Sequence, residues 1–477
     1  MKVCLIFPPH NHKKFMENLT IVNENFGVYP PLGLMYAASI LEKAGHKVII
    51  IDSNALKLSK KKTLEKVREF GPDLLGFLLT TWMFRQTLEW IIYIKNKINV
   101  PVIVGNYALE HYPKEILYHK QLDYGIIGSA RESLPKLLDS LENGRPMDKI
   151  QGLAFKKGKK IFINYPKILH DDLNKLPFPA RHLVPNEKYV GFHTKKKNFT
   201  IMVTSKGCPH ECTFCDMGKT RYNARNPKNV VNEIEECYKK YGIRDIDFFD
   251  RSFTVDRKRT IGICKEIIKR KLKITWACRA RVDEVDTKLL RWMKRAGCRI
   301  ILYGIESGEQ RILDMEHKGI KKERIRKTIE ETERMEIETL GFFMIGQPGE
   351  TKESVEKTIE FSLELGLDYA QFLRTVAKPG AKLYDEVKKK MGYDYFSKYI
   401  LGKVDEKRLP TPWTELSEKE VEILTRKAYL KFYFRPIFIL KKISNIKSLE
   451  ELYRYTRTAL EMMIYKSIFK RGHKILG

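Results

Sequence analysis

Gly207-Cys208-Pro209-His210-Glu211-Cys212-Thr213-Phe214-Cys215-Asp216 sets three cysteines at a CxxxCxxC spacing a little before the midpoint of a 477-residue chain. Three thiolates on one tight loop can hold three corners of an iron–sulfur cluster, because soft sulfur ligands suit iron. The fourth iron would then carry no protein ligand and stay open to a small molecule. A structural zinc ion normally takes four closed ligands, and no fourth cysteine lies near. His210 is a nearby candidate, but it falls between two of the cysteines, where its ring would compete for the same small volume. A zinc site or structural thiols stand as the alternatives to the cluster.

Downstream of the loop, short apolar runs alternate with helical periodicity. Strands are predicted over 201–204, 245–249, 274–279, 299–303, 338–345 and 369–375, with helices over 230–241, 259–269, 286–296, 323–335 and 354–365. Six βα units in a row predict a partial parallel (β/α)6 barrel over residues 200–390, with active groups at the carboxyl ends of the strands. Polar residues fall there: the cysteines after the first strand, Asp250 after the second, Arg279 and Arg281 at the third, Glu306 at the fourth and Gln347 at the fifth.

Upstream, residues 1–145 show the same alternation. Strands are predicted over 2–7, 48–52, 74–80, 102–105 and 124–128, interleaved with helices, which argues a doubly wound parallel sheet. A ligand would sit beyond the carboxyl ends of those strands, at the loops 8–12, 80–82, 105–107 and 128–132. Residues 146–199 read as a hairpin (151–165) and a connector stiffened by Pro177, Pro179 and Pro185. Residues 391–477 form a basic, aromatic, mainly helical extension. A helix near its end would place Leu449, Leu452, Tyr455, Ala459 and Met463 on one side, and its cations could meet an anionic membrane surface.

Composition bounds the function. Lys and Arg number 89 against 59 Asp and Glu, a net charge of +30 that favours anionic partners without choosing among them. No nucleic-acid-binding module is legible. The other five cysteines (Cys4, Cys237, Cys264, Cys278 and Cys298) are scattered, which excludes a secreted disulfide framework. No apolar run reaches the ~20 residues of a transmembrane helix, and the short apolar start ends at Pro8-Pro9 rather than in a signal peptide. The expectation is a cytoplasmic chain.

The chain resembles the radical S-adenosylmethionine enzymes that carry a cobalamin-binding domain. The most specific features are the cysteine loop, with Phe214 just before its last cysteine, and Tyr303-Gly304-Ile305-Glu306-Ser307-Gly308. Pro8-Pro9, Pro30-Pro31-Leu32-Gly33, Thr80-Thr81 and the connector Pro177-Phe178-Pro179-Ala180-Arg181 extend the resemblance over about residues 1–385. It implies a [4Fe–4S] cluster on Cys208, Cys212 and Cys215. It implies S-adenosylmethionine contacts from Phe214, Asp250 (methionyl amino group), Arg279 or Arg281 (methionyl carboxylate), Glu306 (ribose or amino group) and Gln347. Cobalamin would lie near Pro8, Thr80, Thr81, Gly105, Asn106, Tyr107, Gly128 and Glu132.

The sequence also departs from that family. Gly105-Asn106 replaces a Gly-Gly pair, Gly128-Ser129-Ala130-Arg131-Glu132 replaces Gly-Glu-Gly-Glu, and Ala377-Lys378-Pro379-Gly380-Ala381 replaces a Pro-x-Pro-Gly-Thr ending. No Asp-x-His-x-x-Gly motif offers a lower cobalt ligand, and neither His10 nor His12 is expected to serve as one. The implied activity is C-methylation at an unactivated carbon of a small-molecule, lipid or peptide substrate, fed by a ferredoxin- or flavodoxin-type one-electron reductant. Radical ring formation, oxidation or carbon–carbon coupling without methyl transfer is the alternative. RNA modification and a non-catalytic membrane-surface scaffold are weaker readings.

Overall fold

Val3-Cys4-Leu5-Ile6 is a continuous apolar run buried on both faces, and only a strand covered on both sides holds such a run. The computed structural model describes residues 1–9, 27–167, 172–191, 194, 198–404 and 411–436. His10, His12 and the predicted helix bearing Leu449, Leu452, Tyr455, Ala459 and Met463 lie outside the described residues. The first half supplies β1 (Lys2–Phe7), β2 (Gly27–Val28), β3 (Lys47–Asp52), β4 (Leu74–Leu78), β5 (Val102–Gly105), β6 (Tyr124–Ile126), β7 (Leu153–Lys157) and β8 (Lys160–Asn164). The second half supplies β9 (Val190–Gly191), β10 (Phe199–Met202), β11 (Ser205–Cys208), β12 (Thr220–Ala224), β13 (Asp245–Phe248), β14 (Thr275–Ala280), β15 (Cys298–Glu306), β16 (Glu338–Ile345) and β17 (Tyr369–Arg374).

The first sheet runs β3-β1-β4-β5-β6-β7-β8. Its first five strands are parallel, while β7 and β8 join antiparallel. The sequence places this hairpin in the connector; β6 instead offers it an open edge, and the hairpin extends the sheet. Strand order reverses between β1 and β4, and such a reversal opens a crevice at the carboxyl ends. Pro8 stands after β1, and Thr80 and Thr81 after β4, on the two sides of it.

The second sheet is β10-β13-β14-β15-β16-β17, parallel throughout and in sequential order. Helices Pro227–Lys240, Arg257–Lys269, Thr287–Arg295, Lys322–Arg334 and Lys352–Glu364 alternate with its strands and bury their apolar faces against it. Edge strand β17 is covered by helix Glu418–Tyr433, which a Ser417–Glu420 capping box starts. The Tyr433 hydroxyl donates to Ala370 O at 2.7 Å, and Phe372 N donates to the Tyr429 hydroxyl at 3.2 Å. Helices Lys382–Met391 and Tyr395–Ile400 turn back onto the first domain. There the Tyr112 hydroxyl donates to Asp394 at 3.1 Å, and His119 Nε2 meets Ile400 O at 2.7 Å.

The connector is tied to the second domain by one buried carboxylate. Arg181, at the end of the proline-rich connector, is 1% exposed and places Nη2 2.7 Å from Glu233 Oε1. Arg225, just past β12, donates to the other oxygen. Burial by itself would push the Glu233 carboxyl up; the two guanidiniums outweigh it and hold it below its usual range. Removing one partner of a buried pair strands the rest, at a cost of about 3–5 kcal/mol. Arg181→Met is therefore expected to lower stability by ~3–5 kcal/mol, read as a fall in the denaturant midpoint. An unchanged midpoint would show that the connector does not depend on this contact.

Candidate active site

The cysteine loop is the tip of a hairpin. β11 and β12 pair antiparallel with a register shift between Lys206 and Cys208, an element the βα pattern did not announce. Gly207 makes it possible: its φ is +79°, and a Cβ there would lie 2.1 Å from Arg221 O. Within the loop Cys208 N donates to Thr220 Oγ1 at 3.0 Å, Cys215 N to Cys212 O at 3.1 Å and Lys219 N to His210 O at 2.7 Å. All three cysteines are unpaired thiols, partly buried. His210 turns away from them: Nε2 lies 2.7 Å from Glu284 Oε1. The other Glu284 oxygen accepts from Thr254 at 2.7 Å and from Ser252. His210 thus anchors the loop, and a zinc site completed by it is not what the geometry offers. Among the described residues no three His, Cys, Asp or Glu side chains converge on a single metal ion.

Charged groups at the strand ends surround Cys212. Glu306 ends β15 with φ +70° after a register shift between Gly304 and Glu306. A non-glycine residue in this conformation is strained by ~1–3 kcal/mol, and the bulge re-aims its side chain. The Glu306 carboxylate accepts from Lys318 Nζ at 2.9 Å, both side chains being about nine-tenths buried or more. Gly304 leaves room for the pair, since a Cβ there would sit 2.6 Å from Glu306 Oε1. Lys318 also stands 5.9 Å from the Phe214 ring centre. Arg281 grips Asp283 with two bonds of 2.9 Å, donates to Lys318 O at 2.7 Å and directs Nη1 to Cys212 Sγ at 3.8 Å.

Other predicted residues are occupied differently. Asp250 is fully buried, and its carboxylate accepts from Thr204 N at 2.6 Å, from Ser205 N at 3.0 Å and from the Thr204 hydroxyl. These bonds hold the turn between β10 and β11. Arg279 pairs with Asp247 at 2.9 Å and stacks 3.9 Å over Phe249. Gln347 is buried and donates to Glu306 O at 3.3 Å, while its Oε1 has no partner among the described residues.

On the first domain, Tyr107 follows β5 and brings its hydroxyl to 3.1 Å from Asp216 O, next to Cys215, and to 3.4 Å from Pro379 O. The ligand edge of the first sheet therefore faces the cysteine loop. Asn106, at φ +113°, adopts a conformation suited to glycine. Gly105 is open, a Cβ there meeting only Ile126 Cβ at 4.0 Å, and Gly128 has φ +74°. Glu132, in the first turn of the helix after β6, is exposed and pairs with Lys136 at 3.1 Å and Arg131 at 3.2 Å. Sequence reasoning missed Lys318, Glu284 and Glu316, whose carboxylate accepts from the Thr213 hydroxyl inside the cysteine loop. One functional lysine among 89 cations carries no pattern of its own.

A doubly wound sheet set edge-on to a three-cysteine loop, itself at the end of a sequential parallel sheet, is the architecture of a two-domain cofactor-dependent enzyme. The comparisons with known proteins agree. The Radical SAM superfamily matches residues 202–362, and a B12 binding domain matches residues 19–138. An uncharacterised methyltransferase of Pyrococcus horikoshii is 30% identical over 455 residues, covering 93% of this chain and 95% of that protein. The anaerobic magnesium-protoporphyrin IX monomethyl ester cyclase of Rubrivivax gelatinosus is 28% identical, covering 78% of this chain and 69% of that protein. The solved structure of the cobalamin-dependent S-adenosylmethionine radical enzyme OxsB shares the fold, with a TM-score of 0.71 at 17% identity over 98% of this chain and 72% of that one. The chain belongs to the radical S-adenosylmethionine enzyme superfamily, in the group that carries a B12-binding domain.

Glu350 gives the site's framework a pH dependence. Its Oε2 accepts from Gly346 N at 2.7 Å and Gln347 N at 2.9 Å, shaping the loop after β16. Burial pushes its carboxyl from an ordinary 4.5 up to about 7. Between those values the folded chain keeps a proton that the unfolded chain releases, so this contribution to stability is lost as pH rises through the window. Denaturant midpoints across the window should therefore slope less in Glu350→Gln than in the parent. Identical slopes would remove Glu350 from the account.

Proposed function

We propose that this chain is a cobalamin-dependent C-methyltransferase acting on an unactivated carbon. The observation that carries the reading is Tyr107 at the cysteine loop, which sets the ligand edge of the first sheet against the strand ends of the second. Bound there, the cluster, S-adenosylmethionine and cobalamin would together supply one-electron reduction, hydrogen abstraction by a 5′-deoxyadenosyl radical and a transferable methyl group. The protein's part is to bind, orient and exclude water.

The residues fit these groups. Cys208, Cys212 and Cys215 are unpaired, and the histidine between them is drawn away to Glu284. The open side of Gly105 and the crevice between β1 and β4, flanked by Pro8, Thr80 and Thr81, suit a large planar cofactor. Glu306 and Gln347 Oε1, the latter without a partner among the described residues, offer acceptors to an amine or hydroxyl. Arg279, a quarter exposed, keeps a cation at the same strand ends for a carboxylate. The methyltransferase relative supports methylation. The cyclase relative favours the second reading, radical chemistry without methyl transfer.

Cys208, Cys212 and Cys215 changed together to alanine should abolish iron binding and 5′-deoxyadenosine formation; retention of both would refute the site. Anaerobic incubation with hydroxocobalamin, followed by gel filtration, should leave corrin on the protein. A corrin-free protein that still forms 5′-deoxyadenosine would decide for the second reading. Extracts of cells with and without the protein should differ by one methylene unit on the substrate.

A further inference from the structure

Lys318 is the feature least explained by the fold. A lysine 6% exposed loses its hydration, and burial by itself would pull its ammonium down. The Glu306 carboxylate at 2.9 Å outweighs that loss and holds it above its usual range. The ammonium also stands 5.9 Å from the ring of Phe214, which lies between Cys212 and Cys215 in the loop. The neighbouring buried cation reaches a sulfur of that loop directly. Arg281 aims an N–H at Cys212 Sγ from 3.8 Å and is held there by Asp283 and by the carbonyl of Lys318.

We infer that Lys318, beside Phe214, and Arg281, at Cys212, are positioning residues that set the reduction potential of the iron–sulfur site from that side of the loop. Cationic charge and N–H donors at a ligating sulfur favour the form carrying the extra electron. Glu306 works in the opposite sense by screening Lys318. The inference rests on the proposed cluster at Cys208, Cys212 and Cys215. No bond is made or broken: one electron passes from an external reductant to the site.

The test uses full-length protein reconstituted anaerobically with iron and sulfide, without S-adenosylmethionine. A mediated redox titration with dithionite is followed by electron paramagnetic resonance. At the parent's midpoint, Lys318→Met should lower the reduced-to-oxidised ratio about tenfold, ~59 mV for a one-electron couple, and Arg281→Gln should lower it as well. Lys318→Arg should restore the parent midpoint. Glu306→Gln should raise the ratio, an opposite sign that a purely structural role would not produce. Should Lys318→Met fail to fold, Glu306→Gln decides by itself, and an unmoved or lowered midpoint overturns the inference. Parent protein that binds no iron and gives no signal would refute the cluster reading. A normal parent cluster with identical midpoints in all variants would refute only the tuning by Lys318 and Arg281.

Discussion

The carboxylate of Glu233 fixes the proline-rich connector to the foot of the cysteine hairpin. It is wholly buried and binds Arg181 from the connector and Arg225 from the foot of the cysteine hairpin. Arg225 in turn donates its amide to Thr204 O at 2.9 Å, and Arg259 ties Arg225 O (2.8 Å) to Thr204 O (3.0 Å). Asp250 completes the chain at Thr204. An anion without water is stable only when its lone pairs are filled, so the connector and the hairpin cannot shift independently. The two ligand edges are joined separately, by the Tyr107 hydroxyl at Asp216 O and Pro379 O.

The sequence made the parallel strands legible because buried strands with two covered faces carry continuous apolar runs, as in Val3-Cys4-Leu5-Ile6 and Ile300-Ile301-Leu302. Helices between them were legible from periodicity. The cysteine hairpin was not, because its strands, Ser205–Cys208 and Thr220–Ala224, are short and mixed in polarity. They are set by one positive-φ glycine and backbone bonds, neither of which has a periodic signal. The hairpin at 153–164 was recognised, but its attachment depends on which sheet edge is open, a tertiary fact.

The site was legible where chemistry is rare in the sequence and obscure where it is common. Three cysteines at close spacing stand out against eight in all. Glu306 stood out by the glycines around it, and the structure gives Gly304 its reason in the close approach of the carboxylate and Lys318. Asp250 sits at the strand end where the sequence put it, and what the sequence did not show is that two amides and a hydroxyl of the following turn bond its carboxylate. Tyr107 was placed on the right loop by the sequence; that it crosses to the other domain could come only from packing.

The tyrosines over β17 have a consequence for how this sheet can end. A closed barrel has no edge strand, whereas an open parallel sheet leaves a row of unsatisfied amides and carbonyls that another chain can pair with. Here phenolic oxygens of Tyr429 and Tyr433 occupy groups of that row at Phe372 and Ala370, and helix 418–433 lies across it. The hydroxyls do for the last strand what a further strand would do, without extending the ladder. The sheet can therefore stop at β17 without inviting a further strand there from a neighbouring molecule.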